Sequence, residues 1–203
     1  MEVIQTPLPD IELELFKELK DIKLIVDVGA RVDTDYTTLI PGVILHAFEP
    51  NPMFFQALKQ KLEGVPNVYL NPYGIGDMNE NRPYDPSTQS FMLPVTGEPL
   101  RIRILDDYIK ENNITEIDYL KVDVEGYDLR VLAGSPKAVQ MSRFIQYEHW
   151  DYLEPFHYLL SKDFDMEYVG YRNVLCMNRN KVPLNERRRL TRLIHERNYQ
   201  PIP

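Results

Sequence analysis

Residues 24–30 read Leu-Ile-Val-Asp-Val-Gly-Ala, and the fold turns on how this stretch is taken. An apolar, largely β-branched run that stops at a glycine has the pattern of a strand buried on both faces of a parallel sheet. The pattern recurs at 43–48 (Val-Ile-Leu-His-Ala-Phe), 67–70 (Asn-Val-Tyr-Leu), 117–122 (Ile-Asp-Tyr-Leu-Lys-Val) and 143–147 (Arg-Phe-Ile-Gln-Tyr). Helix-length segments separate most of these runs. The clearest spans Pro52–Leu62, where Phe54, Phe55, Leu58 and Leu62 recur at three- and four-residue spacing behind an Asn51-Pro52 start. Further helices are expected at 102–112, 127–133 and 151–162. Alternating strands and helices imply right-handed crossovers and an α/β fold, with a mostly parallel sheet and helices on both faces. After residue 165 the pattern changes. Residues 166–171 and 174–178 read as strands around the Gly170-Tyr171-Arg172-Asn173 turn, adding an antiparallel hairpin at one sheet edge. Residues 184–198 read as a basic amphipathic helix, and 78–99, rich in Pro, Asn, Ser and Gly, as a long functional loop or lid with room for a short strand. With no repeat or linker visible, the expected organisation is one domain over 1–180 followed by a basic helical tail over 181–203.

Composition bounds the function. With 31 acidic against 23 basic residues the net charge is −8, which opposes approach to a phosphate backbone and argues against nucleic acid as a partner. The local run Arg187-Arg188-Arg189, with Arg192 and Arg197, reads as a solvated helix face before a binding patch. Cys176 is the only cysteine, so an internal disulfide and a multi-cysteine zinc site are excluded and a reducing, cytoplasmic setting is expected. The acidic start Met1–Phe16 lacks a basic n-region and an unbroken apolar h-region, and no stretch of about 18 apolar residues occurs, so neither secretion nor membrane spanning is expected.

In an open α/β sheet, ligands bind beyond the carboxyl ends of the strands. There the sequence is acidic and glycine-containing: Asp27, Gly29 and Ala30; Glu49; Gly74, Gly76 and Asp77; Asp123, Glu125 and Gly126; then Glu148, His149 and Trp150. A glycine after the first strand permits a tight turn and close backbone approach to a ligand, and an acid closing the second can accept the hydroxyl protons of a ribose. Gly29 and Glu49 are 20 residues apart, the spacing of a nucleoside-binding βαβ unit. The other reading of Glu49 is a surface glutamate beside Pro50. His46 falls inside a strand and reads as packed, and His157 and His195 lie in helix-like segments without partner spacing. Trp150 and Tyr152 suit either a pocket wall or the core.

Five blocks carry a resemblance. Val-Asp-Val-Gly-Ala at 26–30, His-Ala-Phe-Glu-Pro-Asn-Pro-Met-Phe-Phe-Gln-Ala-Leu at 46–58, Gly76-Asp77, Leu105-Asp106-Asp107-Tyr108, and above all Leu-Lys-Val-Asp-Val-Glu-Gly-Tyr-Asp-Leu-Arg-Val-Leu-Ala-Gly at 120–134 resemble the FkbM family of methyltransferases in order and spacing, over about residues 24–178. The resemblance implies a Rossmann-like, seven-stranded class I methyltransferase fold with S-adenosylmethionine above the first two strands. It implies Gly29 as the glycine-loop residue, Glu49 as the ribose-binding acid and Asp77 near the adenine. Asp27, Ala30, Arg31, Pro50, Asn51, Gly76 and Asp123 complete the implied cofactor set, and Asp123 and Glu125 stand at the mouth of the acceptor site. The implied acceptor is a hydroxyl of a small molecule or carbohydrate.

The chain departs from this pattern at one place. Where related chains continue Gly-Ala-Asn-x-Gly, this one reads Gly29-Ala30-Arg31-Val32-Asp33. Asp33 suits a helix N-cap and Arg31 a partner for the cofactor carboxylate or for a local acid; loss of cofactor binding, leaving a binding or scaffold module, also fits. An NAD-dependent dehydrogenase fits less well, because the second loop glycine is missing. For an oxygen acceptor, Asp123, Glu125, Glu148 and His149 are candidate bases, with Glu125 or His149 preferred. Two alternatives stand beside that reading: Asp123, Glu125 and Glu148 holding a divalent cation such as Mg²⁺, or one of these acids capping the helix that starts near Tyr127.

Overall fold

The computed structural model describes residues 11–32, 35–84, 98–149, 159–170 and 172–198. In chain order the elements are α1 (Ile11–Glu18), β1 (Leu24–Val28), α2 (Tyr36–Leu39), β2 (Ile44–Phe48), α3 (Pro52–Lys61), β3 (Val68–Asn71), β4 (Gly74–Gly76), β5 (Glu80–Pro83), β6 (Pro99–Ile104), α4 (Leu105–Glu111), β7 (Ile117–Val122), α5 (Asp128–Gly134), α6 (Pro136–Met141), β8 (Ser142–Glu148), β9 (Phe164–Val169), β10 (Asn173–Asn178) and α7 (Leu184–Asn198). The run at 24–28 is an interior strand, third in a seven-stranded sheet ordered β3-β2-β1-β7-β8-β10-β9. Its pairings are parallel except those of β10, which runs antiparallel to both β8 and β9 and forms the expected edge hairpin.

Alternation along each strand divides the core between the two faces of the sheet. Val26, Val28, Leu120, Val122, Ile145 and Val174 face a cluster shared with α4 and α5, whereas Ile25, Leu45, Tyr119, Phe144 and Leu175 face one shared with α1, α3 and α7. Each fully buried aliphatic side chain contributes on the order of 1.5–3 kcal/mol, so two filled faces explain why these strands carry so little polar sequence. On α7, Leu190 and Ile194 are buried in the second cluster with Leu15 and Phe16 of α1. Three of its arginines meet carboxylates of the same chain: Arg187 pairs with Asp165, Arg189 with Glu18 at 3.0 Å and Arg197 with Glu14 at 3.1 Å. Arg188 and Arg192 face solvent.

One expectation is corrected. The helix expected over 102–112 begins only at Leu105, because Pro99–Ile104 is a strand. Its period is two, with Leu100, Ile102 and Ile104 alternating with Arg101 and Arg103, and Ile102 is buried. β6 pairs with β4 and β5 in a second, three-stranded sheet ordered β4-β6-β5, and β5 is the short strand for which 78–99 had room. Of the helix expected at 151–162, residues 151–158 lie outside the described residues. Among the described residues, no helix is long and apolar enough to cross a membrane.

Candidate functional site

Register brings the strand ends level. Val28 pairs with Phe48 on one side and Val122 on the other, so the residues that follow, Gly29, Glu49 and Asp123, arrive at one rim. Gly29 has φ 87°, and a Cβ there would lie 1.9 Å from the Asp123 carbonyl oxygen. Only glycine permits both that backbone conformation and that approach. The amides of Gly29 and Ala30 both donate to the Phe48 carbonyl, at 3.0 and 3.1 Å, which ties the loop after β1 to the end of β2.

Glu49 reinforces the tie. Its side chain, 4% exposed, accepts from the Arg31 amide at 2.9 Å and from the Asn51 amide at 2.8 Å, one carboxylate oxygen to each. Burial pushes its pKa up, while the two amide bonds and the Arg31 guanidinium pull it down. Asn51 caps α3 by accepting from Met53 N at 2.9 Å and Phe54 N at 3.4 Å, and its Nδ2 donates to the Tyr84 hydroxyl at 3.3 Å. Arg31, Glu49, Pro50, Phe54, Tyr84, Asp123 and Glu125 are among the residues that line a hollow of about 40 Å³ here. Arg31, at φ 44°, lays its guanidinium 5.3 Å over the Phe54 ring and 4.0 Å from Glu125.

Beneath the rim, charges are paired closely. Asp27 is buried, and Lys121 donates to Asp123 at 3.0 Å. Burial works against the Lys121 ammonium, but Asp27 and Asp123 outweigh it and its pKa is raised. Glu125 and Gly126 have φ 52° and 89°, two consecutive left-handed residues, and the Gly126 amide donates to Asp128 Oδ2 at 3.2 Å. Asp128 is completely buried; burial, then repulsion from Asp123 and Glu148, pushes its carboxyl up to about 7.

The other sequence candidates lie elsewhere. Glu148 is 3.7 Å from Arg172, and His149 Nδ1 is 2.8 Å from the Tyr168 hydroxyl, both at the end of β8 and outside the hollow's lining. Asp77 pairs with Arg130 at 2.9 Å, and Gly76 packs against Tyr127 and Ile102, where a Cβ would meet the Ile102 side chain at 2.9 Å. Asp123, Glu125 and Glu148 each face a cation rather than one another, and among the described residues no three His, Cys, Asp or Glu side chains could hold a metal ion, so the Mg²⁺ reading finds no support. No side chain caps α5 at its N-cap, Tyr127; the acid of its first turn is Asp128. His46 is a packed histidine as expected: buried, 2.7 Å from the Tyr108 hydroxyl and stacked on Tyr69, it is held by burial at a pKa of about 4. His195 contacts Glu167 at 2.9 Å. Asp33, Trp150, Tyr152 and His157 lie outside the described residues.

Four residues at or below the site escaped the sequence reading. Phe54 read as the apolar side of α3, Tyr84 fell in the loop, Lys121 read as part of a strand, and Asp128 as one more acid in a motif. For Lys121 and Asp128 the signal was a charge within an otherwise apolar stretch, which requires a partner when buried.

Comparison with known proteins bears on the whole arrangement. Residues 27–172 match the family model described as the Methyltransferase FkbM domain. The chain is 26% identical over 142 residues to the hexuronic acid methyltransferase AglP of Haloferax volcanii, covering 67% of this chain and 59% of that protein. It is 24% identical over 157 residues to the 2-O-methyltransferase NoeI of Sinorhizobium fredii, covering 63% of each. The chain thus spans about six tenths of the length of these curated relatives. Among solved structures, a Streptococcus mutans protein in complex with SAH superposes with a TM-score of 0.52 at 12% identity, covering 85% of this chain and 99% of the other. An rRNA methylase from Streptococcus thermophilus superposes with a TM-score of 0.50 at 15% identity, covering 85% and 96%. The fold is the Rossmann-like class I methyltransferase fold.

Proposed function

The chain belongs to the FkbM methyltransferase domain family, and from that premise we propose that it transfers the methyl group of S-adenosylmethionine to a hydroxyl of a carbohydrate or other small molecule. The observation that carries the reading is Glu49, a buried carboxylate fixed by two backbone amides at the end of β2, beside a glycine loop that no larger residue could form. The names of the relatives, a hexuronic acid methyltransferase and a 2-O-methyltransferase, support a sugar hydroxyl as acceptor. The net charge of −8 supports a partner other than nucleic acid. The single thiol, Cys176, is fully buried, and the reading places the protein in the cytoplasm.

The residues present suit the cofactor. Each Glu49 oxygen retains a lone pair beyond its amide bond, which would take the ribose hydroxyls, and Phe54 and Tyr84 offer apolar walls for the base. The hollow of about 40 Å³ is far below the roughly 300 Å³ of a ligand pocket, and Arg31, lying across Phe54, is the wall that must move. When bound, the cofactor supplies an activated methyl group on a sulfonium. The protein has to align the acceptor oxygen and remove its proton. Asp123 and Glu125 border the same hollow as Glu49, and Glu125 is proposed as the base, with His149 the second candidate. Lys121 neutralises Asp123 from below, which allows two acids to stand at the mouth together.

Titration calorimetry with S-adenosylmethionine and S-adenosylhomocysteine tests this. Saturable binding is expected, weakened in Glu49→Ala by about 1–3 kcal/mol as charge-assisted hydrogen bonds are lost. A folded protein that takes up neither nucleoside would falsify the proposal.

A further inference from the structure

Arg31 is fixed at its backbone and loose at its tip. The amide is committed to Glu49 at 2.9 Å, whereas the guanidinium has a 4.0 Å approach to Glu125 and a stacking contact with Phe54. The side chains of Arg31 and Glu125 are 47% and 46% exposed, and an ion pair so long and so wet holds weakly. Among the described residues lining the hollow, Arg31 is the only cation, facing Glu49, Asp123 and Glu125. A ligand that brings its own carboxylate to this rim meets repulsion from those acids unless Arg31 receives it. A close, forked guanidinium–carboxylate contact is stronger than the 4.0 Å pair it would replace.

Building on the cofactor reading, we propose that Arg31 is a selectivity latch that leaves Glu125 to grip the free carboxylate of a nucleoside-linked amino acid, so that filling the cofactor side takes the guanidinium off the acceptor-side glutamate. The exchange needs rotation of one partly exposed side chain and no backbone change, because the Glu49 bond holds the loop. It opens the hollow in the same motion, since the group that leaves is the one lying across Phe54. Glu125 sits on its own pair of left-handed residues, with the Gly126 amide bonded to Asp128, so its loop keeps its place when Arg31 departs.

The test compares two ligands that differ by one group: S-adenosylhomocysteine, and its decarboxylated analogue, which keeps the thioether and the amine. Calorimetry on the wild-type protein is expected to show the carboxylated ligand binding about tenfold or more tightly. Arg31→Asn, which puts a side chain tolerant of the left-handed region at this φ, should bring the ratio close to one, mainly by weakening the carboxylated ligand, with the analogue bound as well as before or better. Glu125→Gln should tighten the carboxylated ligand severalfold by removing its competitor, and should not weaken the analogue. If both ligands bind and Arg31→Asn preserves the wild-type ratio, the latch is wrong and the cofactor reading stands. If neither binds the folded wild-type protein, both are overturned. Glu49→Ala separates the two residues, because it should weaken both ligands alike.

Discussion

Replacing Asp128 with asparagine removes a charge that the fold tolerates poorly while keeping the shape and one acceptor for the Gly126 amide, which Oδ2 now engages at 3.2 Å. The carboxyl is completely buried, faces the Asp123 and Glu148 carboxylates from the loop after β7 and from the end of β8, and has an Oδ1 without a hydrogen-bond partner. Its pKa rises from an ordinary 3.8 to about 7 in the folded protein. A carboxyl raised in this way binds its proton more tightly when folded than when unfolded. Its contribution to stability is therefore complete below the unfolded value and is lost as pH climbs through the folded one. At about 1.4 kcal/mol per pH unit, the interval corresponds to about 4 kcal/mol lost between pH 4 and pH 7, as an order of magnitude. Denaturant unfolding of wild type and Asp128→Asn at pH 5, 6, 7 and 8 reads this out. The variant should gain on the wild type steadily up to pH 7 and then hold a constant lead. A stability difference that stays flat with pH would refute the argument, since the titrating groups remote from Asp128 are shared and cancel in the comparison. The variant tests the acid itself, because the asparagine amide can occupy the place of the lone Oδ1 beside two carboxylates.

Gly29→Ala forces a Cβ to 1.9 Å from the Asp123 carbonyl oxygen at a φ of 87°, and should cost about 3 kcal/mol or more in thermal or chemical unfolding; a loss below 1 kcal/mol would mean the two strand ends can separate freely. Lys121→Met leaves Asp27 and Asp123 without their shared cation, and a destabilisation of about 3 kcal/mol is expected from the same measurement; a loss below about 1 kcal/mol would mean the two acids do not need it. Glu125→Gln should lower turnover of a sugar acceptor about a hundredfold or more without weakening S-adenosylmethionine binding; unchanged turnover assigns the base elsewhere, and His149→Gln is the next variant to assay. Tyr84→Phe deletes the hydroxyl that receives Asn51 Nδ2 at 3.3 Å while retaining the ring, so nucleoside affinity by calorimetry should change less than threefold, and a tenfold loss would show that the hydroxyl matters as well as the ring.

What the sequence settled by itself was what depends on local period. A strand buried on both faces is apolar at most positions, so 24–28, 117–122 and the other runs announced the parallel sheet, and Asn51-Pro52 announced the start of α3 because a side-chain cap and a fixed φ act within one turn. The spacing from Gly29 to Glu49 was readable for the same reason, since one crossover connects them. Only the tertiary structure decided which groups meet. That 99–104 is a strand depends on β4, more than twenty residues upstream in the chain. That Asp77 faces Arg130 and His149 faces Tyr168 depends on which elements pack beside them. The pKa of Asp128 is set largely by burial and by Asp123 and Glu148, which the crossover through α5 and α6 separates from each other. Arg31 is the clearest instance, because its identity was visible as a departure from a pattern. Its left-handed φ, its amide on Glu49 and its guanidinium poised between Phe54 and Glu125 exist only because parallel strands end level and bring four chain segments to one rim.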